Sequence, residues 1–358
     1  MSSVSLSEQA TSIAIVSSPQ HLMNLTQAYL AGTVVGPLRV IQLMNGSESV
    51  TTSDGSVVVG SIEFFSQFFF ETTFEVRILR RVVWDTQIAF LARNLNQQDS
   101  TYKAAYLGLT PSRIWTSSKL LHKVEKVVFL DDGASSLTAD FASLTNEVRK
   151  PSKYRFKDFV NRQLAGFSNA QLANCTSYTC FPVTSDSVRI EKHKYFELVK
   201  ALDGIEFGGD LTGVKTVYVD SNYQNLGDAT HLEMVKTVHD RYGFELYIPH
   251  RRLKQNFNAK VRDCLAVRVS RPTVPIEIMI KHWTSRGINV VSAPSSIAYT
   301  GQYFVQGPGK LTILEIQDWI RERTVRSDVR EMQSLAEALN AAVILETSIP
   351  LSVVTSKL

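Results

Sequence analysis

Short apolar runs alternate with amphipathic helical segments along most of the chain, and this alternation constrains the fold more than any other feature. Apolar runs of strand length predict buried strands, whereas apolar side chains that repeat every three to four residues predict helices packed on one face. A regular succession of the two is typical of parallel α/β units. The sequence therefore predicts an α/β protein built on parallel sheets.

The first half of the chain opens with an apolar run at residues 12–18, followed by a helix that Pro19 can begin and Gly32 can end. Further strands are predicted at residues 39–44, 74–79 and 126–130, and helices at residues 84–97 and 112–124. The pattern is less regular from residue 151 to residue 209. Helices are predicted there at residues 157–167 and 187–202, around a short apolar run at residues 177–182.

A glycine-rich stretch, residues 204–213, precedes a second α/β series and indicates a hinge between two domains. Strands are predicted after it at residues 216–221, 245–250, 265–270 and 288–300, and helices at residues 229–243, 275–287 and 327–342. We expect two Rossmann-like αβα domains, residues 1–205 and 210–358, that face each other across a cleft. In such sheets, ligands bind at the carboxyl ends of the strands.

Composition narrows the class of protein. A hydrophobic content of 44% in 358 residues suits a globular chain of two domains. The formal charge of +4 is compatible with an anionic ligand or a membrane surface, but no cluster of Lys and Arg is dense enough to indicate nucleic acid. The three cysteines form neither a disulfide framework nor a CxxC metal site, which favours buried, reduced thiols.

The terminal segments predict a cytoplasmic protein. The polar N-terminus lacks the charged start and apolar core of a signal peptide, and the most apolar stretch, residues 57–70, is too short to span a bilayer. The last three residues, Ser356, Lys357 and Leu358, match a peroxisomal address, but a match of this length arises readily by chance. Peripheral contact with the inner membrane stays open.

Two adjacent carboxylates, Asp131 and Asp132, follow the apolar run at residues 126–130 and precede Gly133. Each ionised carboxylate disfavours ionisation of the other, so one of the two can have the raised pKa that a general base needs. Helix capping is the alternative, but a cap uses one carboxylate and leaves the second unexplained. The pair therefore indicates a catalytic or binding site at the end of this strand.

His250 ends another predicted strand and stands beside Arg251 and Arg252. An imidazolium next to two guanidinium groups can hold an anionic phosphate. The other histidines of the chain are interpreted as structural.

Ser295 and Ser296 follow the apolar run that begins at residue 288, where two hydroxyls at a helix start can bind a phosphate or a carboxylate. A simple helix cap is the alternative. Glu277 lies in the first turn of the helix predicted at residues 275–287 and can accept hydrogen bonds from a ribose diol. Its alternative role is to complement the helix dipole.

Several common motifs are absent from the sequence. It has no P-loop, no GxGxxG after the first strand, no HExxH and no GxSxG, which removes the main support for a dinucleotide dehydrogenase or a serine hydrolase. The acidic pair has no third carboxylate or histidine at ligand spacing, so we expect no metal.

Five short motifs together resemble the bacterial sialyltransferases of the two-Rossmann GT-B fold, namely the lipooligosaccharide sialyltransferases and the capsular polysialyltransferases. The motifs are SSPQHL (17–22), LDDG (130–133), YIPHRR (247–252), PIE (275–277) and SAPSS (292–296). Their order and their positions at strand ends make the set specific, although each motif is short. Residues 133–209 resemble no motif of the family.

The resemblance implies an inverting, metal-independent transfer of sialic acid from CMP-sialic acid to a glycan hydroxyl, with no cofactor besides this donor substrate. It assigns the general base to Asp132, assistance of CMP departure to His250, the donor phosphate to Ser295 and Ser296, and the cytidine ribose to Glu277. The family's histidine is followed by proline, whereas here the proline precedes His250 and Arg251 follows it.

The resemblance also implies that the N-terminal domain binds the glycan acceptor, near Ser18 and Gln20, and that the C-terminal domain binds the donor. Three alternatives remain: a glycosyltransferase for CMP-Kdo or for a UDP- or GDP-sugar, a non-catalytic glycan- or nucleotide-binding protein of the same fold, and an interaction scaffold, which the acidic pair disfavours. Acceptor, linkage, polymerisation and oligomeric state are left open.

Overall fold

The computed structural model describes residues 12–16, 18–34, 36, 38–45, 66–70, 102–108, 123–131, 175–186, 188–207, 210–221, 223, 226–250, 253–272, 274–323 and 353–358. Backbone contacts divide the chain into two units, Met1–Ala201 and Leu202–Leu358, so the division falls just before the glycine-rich stretch. Among the described residues, no helix is long and apolar enough to cross a membrane.

The described part of the first unit contains a seven-stranded sheet in the order β3-β2-β1-β4-β5-β6-β7, and every neighbouring pair is parallel. This order reverses between β1 and β4, as in a Rossmann fold. The strands are β1 (Ser12–Val16), β2 (Leu38–Asn45), β3 (Ser66–Phe70), β4 (Ala104–Gly108), β5 (Lys126–Leu130), β6 (Cys175–Thr179) and β7 (Arg189–Lys192). The helices are α1 (Pro19–Leu30) and α2 (Phe196–Ala201).

The described part of the second unit contains a six-stranded parallel sheet in the order β10-β9-β8-β11-β12-β13, the full Rossmann order, which reverses between β8 and β11. Its strands are β8 (Thr216–Val219), β9 (Leu246–Ile248), β10 (Arg268–Val269), β11 (Asn289–Ser292), β12 (Leu311–Glu315) and β13 (Val353–Lys357). Its helices are α3 (Asp228–Tyr242), α4 (Gln255–Leu265), α5 (Ile276–Ser285), α6 (Ser296–Gly301), a 3₁₀ turn (Gln302–Phe304) and α7 (Gln317–Arg323). The predicted α/β class with two Rossmann-like sheets is confirmed.

Local chemistry explains where the best-defined elements begin and end. Strands β1 and β4 are buried along their whole length, which is why they are continuously apolar rather than alternating. Helix α1 begins where the Ser18 hydroxyl accepts a hydrogen bond from the His21 N–H at 3.2 Å, and Pro19 occupies its first turn. Helix α3 ends at Gly243, whose φ of 61° is left-handed and easily adopted by glycine.

Three predicted segments differ from the structure. The helix predicted at residues 187–202 is replaced by β7 and the short α2, because the polar segment RIEK pairs with β6 at the sheet edge. The strand predicted at residues 265–270 shrinks to β10, because α4 continues to Leu265 and ends at a left-handed Ala266. The run at residues 288–300 divides into β11 and α6. Strands β3, β4, β12 and β13 and helices α4 and α7 were not predicted.

Predictions for residues 74–79, 84–97, 157–167 and 327–342, and for nearly all of residues 112–124, lie outside the described residues. The C-terminal tripeptide lies at the end of the second sheet. Ser356 and Lys357 belong to β13, and the Leu358 N–H donates to the Glu315 carbonyl at 3.1 Å.

Candidate functional site

The carboxyl edge of the second sheet gathers most of the predicted donor-site residues. His250 follows β9, and Ser295 and Ser296 follow β11. Glu277 lies in the first turn of α5, the helix that leaves the carboxyl end of β10. Because all strands of this sheet are parallel, these groups lie along one edge, where α/β proteins bind their ligands.

A hydrogen bond joins the first turn of α5 to Thr300 in the last turn of α6. The Thr300 hydroxyl lies 2.9 Å from Oε1 of Glu277 and 2.8 Å from the carbonyl oxygen of Ser296. Glu277 is only 4% exposed, and this burial raises the pKa of its carboxyl. The single proton of Thr300 cannot serve two acceptors, whereas a protonated Glu277 can donate to Thr300 while Thr300 donates to Ser296. The carboxyl group is thus linked, through Thr300, to the main chain of Ser296.

Ser295 caps α6, and the hydroxyl groups of both serines can still donate a hydrogen bond to a ligand. The Ser295 hydroxyl accepts a hydrogen bond from the Ala298 N–H at 3.2 Å, so it caps α6, as the structural alternative predicted. A capping hydroxyl uses only an acceptor site and keeps its own proton for donation. Both serines are half-buried, which leaves their hydroxyls partly accessible at this edge.

His250 is half-buried at the carboxyl end of β9 and follows a buried Pro249. Its carbonyl oxygen accepts a hydrogen bond from the Leu253 N–H at 2.9 Å, which turns the chain into α4. Arg251 and Arg252, predicted to flank the histidine as phosphate ligands, lie outside the described residues.

The centre of the second unit contains a buried carboxylate that was not singled out from the sequence. Asp220 follows β8 at the point where the strand order reverses, and it is 1% exposed. Its oxygens are contacted by the hydroxyls of Tyr247 at 2.5 Å and Tyr218 at 3.2 Å, by His231 Nε2 at 2.8 Å, and by the Ser221 N–H at 2.7 Å. Burial, with the nearby Asp220 charge, raises the pKa of both tyrosines, so they remain donors.

This network fixes β8, β9 and α3 relative to one another. His231 lies on α3 and stacks on Phe257 of α4 with ring centroids 4.5 Å apart. A carboxylate with four hydrogen-bond partners has few acceptor sites left for a ligand. Asp220 therefore has a structural role at the carboxyl edge of the sheet. The sequence signal was present: TVYVDS ends a strand with an aspartate, as KVVFLDD does.

In the first unit, Asp131 is fully buried at the end of β5. Its Oδ2 accepts a hydrogen bond from the Cys180 N–H at 2.9 Å, which ties the carboxyl end of β5 to that of β6. Its carbonyl oxygen accepts from Asn24 Nδ2 at 3.1 Å. Asp132 and Gly133 lie outside the described residues. Asp131, the described residue of the acidic pair, thus has a structural role.

The beginning of α1 lies at the same edge of the first sheet. Ser18 caps this helix, and Gln20 Nε2 donates to the hydroxyl of Tyr195 at 2.6 Å. His21 is buried against Gly108, where a Cβ atom would stand 2.2 Å from the His21 ring. The His21 side chain therefore fills the crevice between β1 and β4, where the strand order of the sheet reverses.

A cavity of about 520 Å³ opens elsewhere in the first unit. Its lining residues, among them Lys103, Glu125 and Cys175, lie at the amino ends of the strands, so this cavity is separate from the predicted site. Among the described residues, no group of three or more His, Cys, Asp or Glu side chains is arranged to hold a metal ion.

Comparison with known proteins shows likeness of fold at low identity. No family model matches the sequence, and no curated protein matches it. Among solved structures, a UDP-GlcNAc 2-epimerase from Neisseria meningitidis bound to UDP-GlcNAc is 9% identical, with a TM-score of 0.41 over 93% of this chain and 90% of that chain. An Arabidopsis thaliana UGT protein complexed with UDP-L-rhamnose is 11% identical, with a TM-score of 0.49 over 97% of this chain and 85% of that chain.

MurG of Acinetobacter baumannii is also similar, at 10% identity and a TM-score of 0.37 over 97% of this chain and 85% of that chain. Identities and TM-scores this low do not identify a reaction. The fold assignment therefore rests on the two strand orders.

Proposed function

We propose that this chain is an inverting glycosyltransferase that transfers sialic acid from CMP-sialic acid to a glycan hydroxyl, without a metal ion. The observation that carries the proposal is the carboxyl edge of the second sheet. There, a Rossmann strand order brings His250, Glu277 and the serine pair to one edge, and Thr300 links the Glu277 carboxyl to the main-chain carbonyl of Ser296. Hydroxyls, an imidazole and a buried carboxyl match the phosphate and ribose of a nucleotide.

In the proposed reaction, the second unit binds the donor. As the bond between the sugar and the phosphate breaks, negative charge grows on the departing CMP phosphate. His250, when protonated, and the serine hydroxyls can each donate a hydrogen bond to that charge, which lowers the barrier more than it stabilises the bound donor. Glu277 holds the cytidine ribose through its carboxyl group.

The first unit supplies the base. Asp132 accepts the proton of the acceptor hydroxyl as its oxygen attacks the anomeric carbon from the side opposite CMP, which inverts the configuration in one displacement. Asp131 fixes the main chain immediately before this residue through its contacts with Cys180 and Asn24. Holding both substrates in reacting geometry supplies much of the remaining acceleration.

The test is product analysis with CMP-sialic acid and a panel of lactosides and oligosialic acids. Asp132→Ala and His250→Ala are each expected to lower turnover by about 10²-fold or more, because the first removes the base and the second removes a donor to the departing phosphate. The matched control is Asp228→Ala, which removes an exposed carboxylate of α3 and is expected to leave turnover unchanged. Near wild-type turnover in Asp132→Ala contradicts the assignment of the base.

Calorimetric titration with CMP, UDP and GDP tests the class of donor. Binding of CMP with transfer of sialic acid supports the proposal. Binding of UDP or GDP alone points to another activated sugar, transfer from CMP-Kdo alone points to that donor, and tight CMP binding without transfer from any CMP-sugar points to a non-catalytic binding protein. Each of these last three outcomes overturns the proposed reaction.

A further inference from the structure

We infer that Tyr195 and Asn24 are positioning residues for the catalytic base. They form a hydrogen-bond relay that begins at Gln20 and ends on the carbonyl oxygen of Asp131, the peptide group that leads directly into Asp132. This inference rests on the proposed function, since it concerns the residue that would accept the proton. Nothing in the sequence motifs pointed to Tyr195 or Asn24.

The relay runs in one direction. Gln20 Nε2 donates to the Tyr195 hydroxyl at 2.6 Å, and the Tyr195 hydroxyl donates to Oδ1 of Asn24. Asn24 Nδ2 then donates to the Asp131 carbonyl at 3.1 Å. Tyr195 and Asn24 each donate one hydrogen bond and accept one, so the three bonds reinforce one another. Tyr195, Asn24 and Asp131 are fully buried, so water does not compete for the second and third bonds, whereas Gln20 is half-buried.

Tyr195 is held in an unusual backbone conformation. Its φ is 57°, in the left-handed region that bulky side chains rarely adopt. Its ring meets His193 edge to face at 4.6 Å, and His193 stacks on Tyr178 at 4.3 Å. A strained residue persists only where its surroundings over-determine it, and such residues concentrate at functional sites. The strain is accounted for if the hydroxyl must reach Asn24.

The end of β5 is held from two sides. The relay holds the carbonyl of Asp131, while the Cys180 N–H holds its carboxylate at 2.9 Å. With both groups fixed, the main chain has little freedom to shift just before Asp132. A base must lie within a few tenths of an ångström of its productive position, so a fixed preceding peptide directly supports proton transfer.

The same helix provides a matched control. Gln27 of α1 is buried, and its Oε1 accepts a hydrogen bond from the Leu198 N–H of α2 at 2.9 Å. This bond also spans the two ends of the unit, but it does not reach Asp131. Gln27→Leu therefore removes a buried long-range hydrogen bond without touching the relay.

The experiment compares Tyr195→Phe, Asn24→Leu and Gln27→Leu in steady-state transfer from CMP-sialic acid. Tyr195→Phe keeps the ring and removes the hydroxyl, and we expect kcat to fall about tenfold or more with the donor KM within twofold of wild type, because misplacing a reacting group lowers kcat. Asn24→Leu should do the same, and the double variant should lose no more than the worse single variant. Gln27→Leu should keep its kcat.

Amide hydrogen exchange provides a readout that does not require activity. We expect the amides of residues 128–131 to lose protection in Tyr195→Phe and to keep it in Gln27→Leu. A kcat within twofold of wild type in Tyr195→Phe, or an equal fall in Gln27→Leu, overturns the inference. If the wild-type protein transfers no sialic acid, the proposed function fails, while the exchange data still decide whether the relay holds this peptide.

Discussion

Acid destabilisation of the first unit should be governed by His193. This residue follows β7, is 8% exposed, and lies against Tyr178 and Tyr195. Neither ring nitrogen has a hydrogen-bond partner among the residues that the structure describes. Burial lowers the pKa of His193 to about 3, because a charged imidazolium loses its hydration there.

The magnitude follows from proton linkage. The unfolded chain binds a proton at this histidine below a pH of about 6.5, whereas the native protein does not until the pH approaches 3. Between these values, each unit of acidification lowers the free energy of unfolding by about 1.4 kcal/mol. Acidification from pH 7.5 to pH 5.0 should therefore lower the free energy of unfolding by roughly 2 kcal/mol through His193 alone.

The assay is urea unfolding of the wild type and of His193→Phe at several pH values. Phenylalanine keeps a flat ring between the two tyrosines but does not titrate, so the difference between the two proteins isolates the histidine. We expect the wild type to lose roughly 2 kcal/mol more than the variant between pH 7.5 and pH 5.0. Unfolding free energies that stay parallel over this range refute the reasoning.

Two further perturbations test the two carboxyl edges. Glu277→Gln should unfold at a higher temperature than the wild type, and this difference should grow as the pH rises from 4.5 to 8. The reason is that burial raises the pKa of Glu277, so the stability from its bound proton is lost as the pH rises through that pKa; a constant difference contradicts this. Gly108→Ala places a methyl group 2.2 Å from the His21 ring and should cost about 1–3 kcal/mol in urea unfolding. His21→Ala in the same chain should recover part of this loss, and strict additivity would contradict the packing argument.

Patterns that depend on local chemistry were predictable. Strands β1, β5 and β8 are buried in the sheet and are apolar after their first residue, so they were located from their runs. The start of α1 follows from Ser18 and Pro19, and the end of α3 from Gly243. Polar groups such as Asp131 and His250 were expected at strand ends, where the structure has them.

Edge strands and mixed segments were not predictable in the same way. The segment RIEK has no apolar run, and it is a strand only because β6 offers it a partner at the sheet edge. The segment LAVRVS has an apolar run that predicts a strand, but its first residue, Leu265, is the last residue of α4. In RIEK, tertiary pairing overrides local propensity, whereas in LAVRVS the preceding helix extends into the apolar segment.

The sequence alone determined the α/β class, the alternation of buried strands with helices, and the polar groups expected at the strand ends, because these depend on residues close together in the chain. Only the tertiary structure decided which of those groups meet. Tyr195 and Asn24 are 171 residues apart, and they touch because α1 packs against α2, the helix that Tyr195 immediately precedes. Asp220 likewise finds Tyr247 through the pairing of β8 with β9. Such contacts depend on how the strands are ordered, which no local pattern encodes.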